Sequence, residues 1–173
     1  MQEFKYTLAM VGEVGVGKSS LMMRFVGEIK VWDEAGFDLI GIDEKSKAIE
    51  VEGEKYQITI RDTGGQERYR NMTALHYRKA QGIVLVFDIS QKSSFDQLHR
   101  WMGDVENYSG NCIKLLIGNK IDLNKRQVKK SEIEDFTNEY RNMLYREVSA
   151  KTGTGVDEAF TLLATEIKKH FDS

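Results

Sequence analysis

The 173-residue sequence has no proline, a single cysteine, no long apolar run and almost no net charge, and each of these absences excludes something. Without proline no turn is stiffened by a fixed φ, so sharp reversals fall to the 15 glycines. The lone Cys112 excludes an internal disulfide framework and fits a reducing compartment; just ahead of the apolar run KLLIG, it reads as a small buried side chain. No segment is long and apolar enough for a membrane span, and the start MQEFKYTLAMV lacks the charged, apolar, small order of a signal peptide, so a cytoplasmic location is expected. With 25 basic against 27 acidic side chains, a formal net charge of −2, there is no electrostatic basis for binding nucleic acid or a phospholipid surface.

What remains is ordinary globular material: 40% hydrophobic and 30% charged residues, enough apolar side chains for one core, hence a single domain over 1–173. Short apolar runs alternate with stretches of helical period. YTLAMV (6–11) precedes KSSLMMRFV (18–26), GIVLVFD (82–88) precedes SSFDQLHRWMGDVENY (93–108), and IKLLIG (113–118) precedes SEIEDFTNEY (131–140). Such repetition predicts a parallel sheet covered by helices on both faces. AIEVEGEKYQITIRD departs from it, because its alternation around Glu52-Gly53-Glu54 predicts an antiparallel hairpin at one edge of the sheet. The last helical stretch, 156–171, carries Phe160, Leu163, Ile167 and Phe171 at spacings of three and four, a core-facing stripe.

Between the first run and the first helix lies GEVGVGKSS, which satisfies G-x-x-x-x-G-K-[ST] in the strand-to-helix context the pattern requires. Gly12, Gly15 and Gly17 let the backbone fold into a nest whose N–H groups converge on phosphate oxygens, and the helix start adds unpaired N–H groups and the positive end of its dipole. Lys18 would reach the terminal phosphates and Ser19 would offer its hydroxyl to Mg²⁺. NKID, Asn119 to Asp122, follows an apolar run and so lies at the carboxyl end of a strand, where open α/β sheets bind ligands. An aspartate there can accept from both the ring N–H and the exocyclic amine of guanine, a donor pair that adenine lacks. SAK, Ser149 to Lys151, stands at the next strand end, where the amide of Ala150 could donate to the guanine carbonyl.

Together GEVGVGKSS, DTGGQERYR, GNKID and SAK resemble the successive guanine-nucleotide motifs of the Ras superfamily. IGID, ALHYRKAQGIVLVFDIS and the final EIKK are most similar to the Rab branch, and the match covers essentially the whole chain. The resemblance implies an α/β P-loop G domain: a six-stranded, mostly parallel sheet with one antiparallel edge strand and about five helices. It implies GTP and GDP as ligands, Mg²⁺ as cofactor, and a monomeric GTPase switch in vesicle trafficking, acting at the cytosolic face of endomembranes with an exchange factor, an activating protein and effectors. By position it implies Glu13, Val14, Gly15, Val16, Gly17, Lys18, Ser19 and Ser20 around the phosphates, with Ser19 on the metal and Asp62 holding the metal through water. Gly65 would sense the γ-phosphate, Gln66 would orient the attacking water with Lys18 as its catalytic companion, and Asn119, Lys120, Asp122, Ser149, Ala150 and Lys151 would surround the base. The sequence as given ends at HFDS without a terminal cysteine pair, so membrane attachment is expected only through a lipidated tail or a partner outside it.

Several residues depart from the resemblance. Leu39 stands where the family has the first-switch threonine that meets Mg²⁺ only in the triphosphate state, and no threonine occurs between Leu21 and Ile58. The segment ahead of it is about two residues longer than is usual for Rabs; allowing for that, the resemblance puts Trp32 at the base-stacking position, the alternative being a loop residue packed on the body. Trp101, in mid-helix, is expected to be silent in fluorescence during nucleotide exchange. Glu44 and Arg61 replace Phe and Trp of the family's effector surface and His76 replaces a tyrosine, so ordinary Rab effectors fit poorly. Val14 puts a branched side chain near the γ-phosphate and attacking water, whereas Gly64 before Gly65 is a tolerated change. Slow hydrolysis is the expectation; the alternative is a binding module in which the nucleotide only stabilises the fold.

Overall fold

The computed structural model describes residues 4–27, 43–62, 77, 79–109 and 111–171. Strand β1 (Phe4–Val11) runs through the phosphate-loop glycines into helix α1 (Lys18–Val26). β2 (Asp43–Val51) and β3 (Glu54–Asp62) form the expected hairpin, longer at its first strand than the alternation indicated. Its two-residue loop, Glu52 and Gly53, takes positive φ of 52° and 82°, the handedness that matches strand twist. β4 (Gly82–Asp88) leads into α2 (Lys92–Asp96) and α3 (Leu98–Ser109); the stretch expected as one helix is broken at Gln97. β5 (Ile113–Asn119), a 3₁₀ turn (Ile121–Leu123), α4 (Lys130–Asn138), β6 (Met143–Glu147) and α5 (Val156–Phe171) complete the order.

The sheet has six strands in the order β2-β3-β1-β4-β5-β6, every pair parallel except the edge pair β2–β3. Because side chains alternate across a strand, β4 sends Val84 and Val86 to one core and Ile83, Leu85 and Phe87 to the other. The first core holds α1 and α5 through Leu21, Phe25, Phe160, Leu163 and Ile167; the second holds α2, α3 and α4 through Phe95, Leu98, Met102, Ile133 and Phe136. Cys112 is buried in the second, as its context indicated.

The stripe expected on α5 needs one correction. Phe160, Leu163 and Ile167 are buried, but Phe171 is 41% exposed. It is the last residue of the helix, one turn beyond Ile167, and its ring lies edge-on to His170 at 4.7 Å instead of reaching the core. Among the described residues no helix is long and apolar enough to cross a membrane.

Candidate functional site

Parallel strands deliver their carboxyl ends to one rim of the sheet. Val11, Asp88, Asn119 and Glu147 end β1, β4, β5 and β6, and Asn119 itself, the loops that follow these strands and the first turn of α1 carry every described residue expected at the phosphates and the base. Asp62 ends β3 on the same rim, since β3 runs parallel to β1.

The phosphate loop is shaped by two glycines whose surroundings leave no room for a Cβ. Gly12 lies so close to Val86 that a Cβ would fall on that residue's carbonyl oxygen; at Gly17, with φ 97°, a Cβ would fall on the Asn119 amide. Lys18 is buried, and its ammonium donates to the carbonyls of Gly12 at 2.8 Å and Glu13 at 3.1 Å, which closes the loop over its own charge. Val14 is 45% exposed at the mouth of the loop, with Gly15 and Val16 following it toward α1. Ser19 and Ser20 lie in the first turn of α1, whose leading N–H groups no side chain caps.

The Ser19 hydroxyl donates to Asp62 Oδ2 at 2.5 Å, so the two residues expected on the metal meet. Asp62 is 0% exposed, and its other oxygen, Oδ1, is buried with no hydrogen-bond partner among the described residues. A buried carboxylate oxygen without a donor is costly unless a cation is its partner. This pair of hard oxygen donors fits Mg²⁺, which uses few protein ligands and takes the rest from phosphate and water.

Asn119 is the joint of the base loops. Its side-chain nitrogen donates to the Val16 carbonyl at 2.9 Å, and its side-chain oxygen accepts the Ala150 amide at 3.1 Å. The very amide expected at the guanine carbonyl is therefore engaged by Asn119 in this structure. Lys120 reaches back to the Gly15 carbonyl at 2.7 Å and pairs with Asp88 at 2.9 Å. The buried Ser149 donates its hydroxyl to Asp122 Oδ1 at 2.7 Å and accepts the Thr152 amide at 3.1 Å, so its part is to hold the exposed Asp122 carboxylate. Lys151 is exposed beside it.

Four features of this rim were not read from the sequence. Asp88 is buried, takes Ser90 N–H and O–H on Oδ1, and offers Oδ2 to Lys120; its place at the end of GIVLVFD is the signal that could have found it. Arg24 of α1 donates Nε to the Ala150 carbonyl at 2.8 Å and a second nitrogen to the Lys151 carbonyl. Trp101 of α3 donates its indole N–H to Glu13 at 3.2 Å, so it is tied directly to the phosphate loop. Arg126, just past NKID, forks onto Glu147, just before SAK, at 3.1 and 2.7 Å, while Tyr145 O–H donates to the same carboxylate at 2.5 Å. Burial pushes the Glu147 carboxyl up, but the Arg126 and Tyr145 hydrogen bonds outweigh it and leave the group below its ordinary value. Burial first, and then the Glu147 hydrogen bond, drives the Tyr145 hydroxyl well above its ordinary value.

The expected acid–base pair on the hairpin is present: Glu44 faces Arg61 in register, with Arg61 Nε 2.7 Å from the carboxylate. Trp32, Leu39, Gly64, Gly65, Gln66 and His76 lie outside the described residues.

Comparison with known proteins agrees with this arrangement. The sequence profile of the Ras family matches residues 7–169. The chain is 43% identical over 162 residues to Ras-related protein Rab-18 of Lymnaea stagnalis, covering 92% of this chain and 79% of that one. It is 39% identical over 168 residues to Ras-related protein Rab-1D of Dictyostelium discoideum (96% and 81% covered) and 40% identical over 172 residues to Ras-related protein Rab-1 of Theileria parva (97% and 77% covered). With the family come GTP and GDP as ligands, Mg²⁺ as cofactor and GTP hydrolysis as the reaction. The chain belongs to the Ras family, as a Rab-like small GTPase.

Proposed function

We propose that the whole chain is one G domain working as a guanine-nucleotide switch in vesicle trafficking, at the cytosolic face of endomembranes, and that it hydrolyses GTP slowly. The observation that carries the reading is Asn119, whose one side chain fastens the phosphate loop at Val16 to the base loop at Ala150. Phosphate and guanine recognition are thereby assembled as one unit.

In this reading the loop from Glu13 to Ser20 holds the phosphates, with the Lys18 ammonium turning from the Gly12 and Glu13 carbonyls to the charge that develops on phosphoryl transfer. Ser19 and Asp62 hold Mg²⁺, which neutralises phosphate charge when bound. Asp122, steadied by Ser149, accepts from the guanine ring N–H and amine; Lys120 and Lys151 flank the base, and the Ala150 amide meets the guanine carbonyl by turning from Asn119 or sharing its proton. Gln66 orients the attacking water, Gly65 senses the γ-phosphate and Trp32 stacks on the base. Val14, exposed at the mouth of the loop, crowds the water that Gln66 must orient, which slows the chemical step without weakening phosphate binding. Leu39 can donate a backbone N–H but cannot bind the metal, so the first switch is weakly coupled to the γ-phosphate.

An exchange factor, an activating protein and effectors act on a monomer. The effectors suit a charged Glu44–Arg61 surface rather than an aromatic one.

Val14 and Leu39 also favour a second reading, in which the nucleotide is a structural ligand and neither hydrolysis nor switching matters. One experiment separates the two. The nucleotide that copurifies is identified, and single-turnover GTP hydrolysis is followed with and without Mg²⁺. Copurified GDP with slow, Mg²⁺-dependent hydrolysis supports the switch; bound nucleotide without turnover leaves the binding module; no guanine nucleotide rejects both.

A further inference from the structure

The phosphate loop is restrained from a helix that the family roles above leave unused. Trp101 is the fourth residue of α3, 7% exposed, its ring packed in the core that also contains Val11 and Phe87. From that fixed body the indole N–H reaches Glu13 Oε1 at 3.2 Å, across 88 positions of sequence. Glu13 is thus gripped at both ends, its carboxylate by Trp101 and its carbonyl by the Lys18 ammonium at 3.1 Å. The next residue is Val14, beside an open cleft of about 490 Å³ between the loop and the start of α2 and α3, bordered by Gln91, Ser93, Gln97 and Arg100. On that side the loop borders open space, and the indole bond ties it to α3.

We propose that Trp101 is a positioning residue for the phosphate loop: by holding the Glu13 carboxylate it fixes the peptide that precedes Val14 and so slows nucleotide release. The proposal rests on the reading of this loop as the phosphate site. It uses a donor on a rigid ring, and an indole buried in a packed core has little freedom to follow a loop that drifts. It also reverses the expectation that Trp101 is silent during exchange.

The test is a double-mutant cycle on GDP release from the full chain, with Trp101→Phe removing the donor but keeping a buried ring, and Glu13→Ala removing the acceptor. Each single change is expected to speed release about five- to tenfold, and the pair no more than either alone, because both delete the same bond. Glu13→Gln, which keeps a side-chain oxygen as acceptor, is expected to release GDP more slowly than Glu13→Ala. In a Trp32→Phe background, where Trp101 is the remaining tryptophan of the two, its emission is expected to change on nucleotide exchange and to lose that response with Glu13→Ala. Multiplying effects in the cycle, or a Glu13→Gln as fast as Glu13→Ala, overturn the proposal, as does a Trp101 emission indifferent to nucleotide. If Trp101→Phe fails to fold, the Glu13 pair and the emission decide. GDP binding by the unaltered protein is measured first: its absence rejects the phosphate site and this inference together, whereas binding with a multiplicative cycle rejects only this inference.

Discussion

The hydroxyl of Ser19 stands 2.5 Å from Asp62 Oδ2, joining the first turn of α1 to the last residue of β3 across 43 positions of sequence. Beside this contact lies Oδ1 of the same buried carboxylate, which has no hydrogen-bond partner among the described residues. If both residues hold Mg²⁺, the metal ties nucleotide release to this pair. Chelation by EDTA is expected to accelerate GDP release from the unaltered protein by at least about tenfold, equivalent to 1.4 kcal/mol of barrier. Ser19→Ala is expected to release GDP quickly already and to respond to EDTA by less than about twofold. Equal responses would remove Ser19 from the metal.

Asp122 is held by Ser149, and the proposed function gives it guanine selectivity. Asp122→Ala is expected to lose several kcal/mol of GDP affinity and to leave ADP binding little changed, because a pocket built to accept a donor pair discriminates by about 10⁴ or more. Competition binding of GDP against ADP checks it; an unchanged preference sinks the assignment.

Arg24 holds two successive carbonyls of the base loop. Arg24→Ala is expected to speed GDP release by about tenfold, at 1.4 kcal/mol per tenfold, and Arg24→Lys by less, since a lysine can satisfy one carbonyl but not both in the same fork. Release kinetics of a fluorescent GDP derivative measure both. An Arg24→Ala variant that releases nucleotide at the unaltered rate would show that the base loop holds its shape unaided.

The framework of the rim was legible in the sequence because its signals are local. α1, β4 and α5 fall at 18–26, 82–88 and 156–171, as their periodicity indicated, and the hairpin turn sits at Glu52-Gly53. β6 was not legible from its own residues: MLYRE is five residues long, mostly half-buried and paired on one side only, so it has no continuous apolar run to announce it. The braces were illegible for a different reason. Arg24 meets its carbonyls 126 and 127 positions away, Trp101 meets Glu13 88 away, and no periodicity records which strand ends become neighbours once β1 is inserted between β3 and β4. Phe171 shows the opposite error: the right spacing continued past the end of the surface it was meant to cover.

The Arg126–Glu147 fork gives a pH signature. A carboxyl held below its ordinary value of 4.5 contributes stability that is present above its unfolded value and lost as pH falls through its folded one. Glu147→Gln is therefore expected to destabilise the protein by about 1 kcal/mol at pH 7, and the gap to the unaltered protein is expected to close as pH falls below the ordinary carboxyl range. Urea unfolding of both proteins from pH 7 to pH 3 measures the gap; a gap independent of pH would mean that the pair acts by packing and not by charge.

The most direct measurement is single-turnover GTP hydrolysis by the unaltered protein and its Val14→Gly variant, each preloaded with GTP and started with Mg²⁺. A guanine-nucleotide switch slowed by the valine at the mouth of its phosphate loop is expected to hydrolyse GTP slowly but measurably, and the variant about tenfold faster or more, a difference of at least 1.4 kcal/mol in barrier. Equal rates in the two proteins, or no hydrolysis in either, would contradict the account.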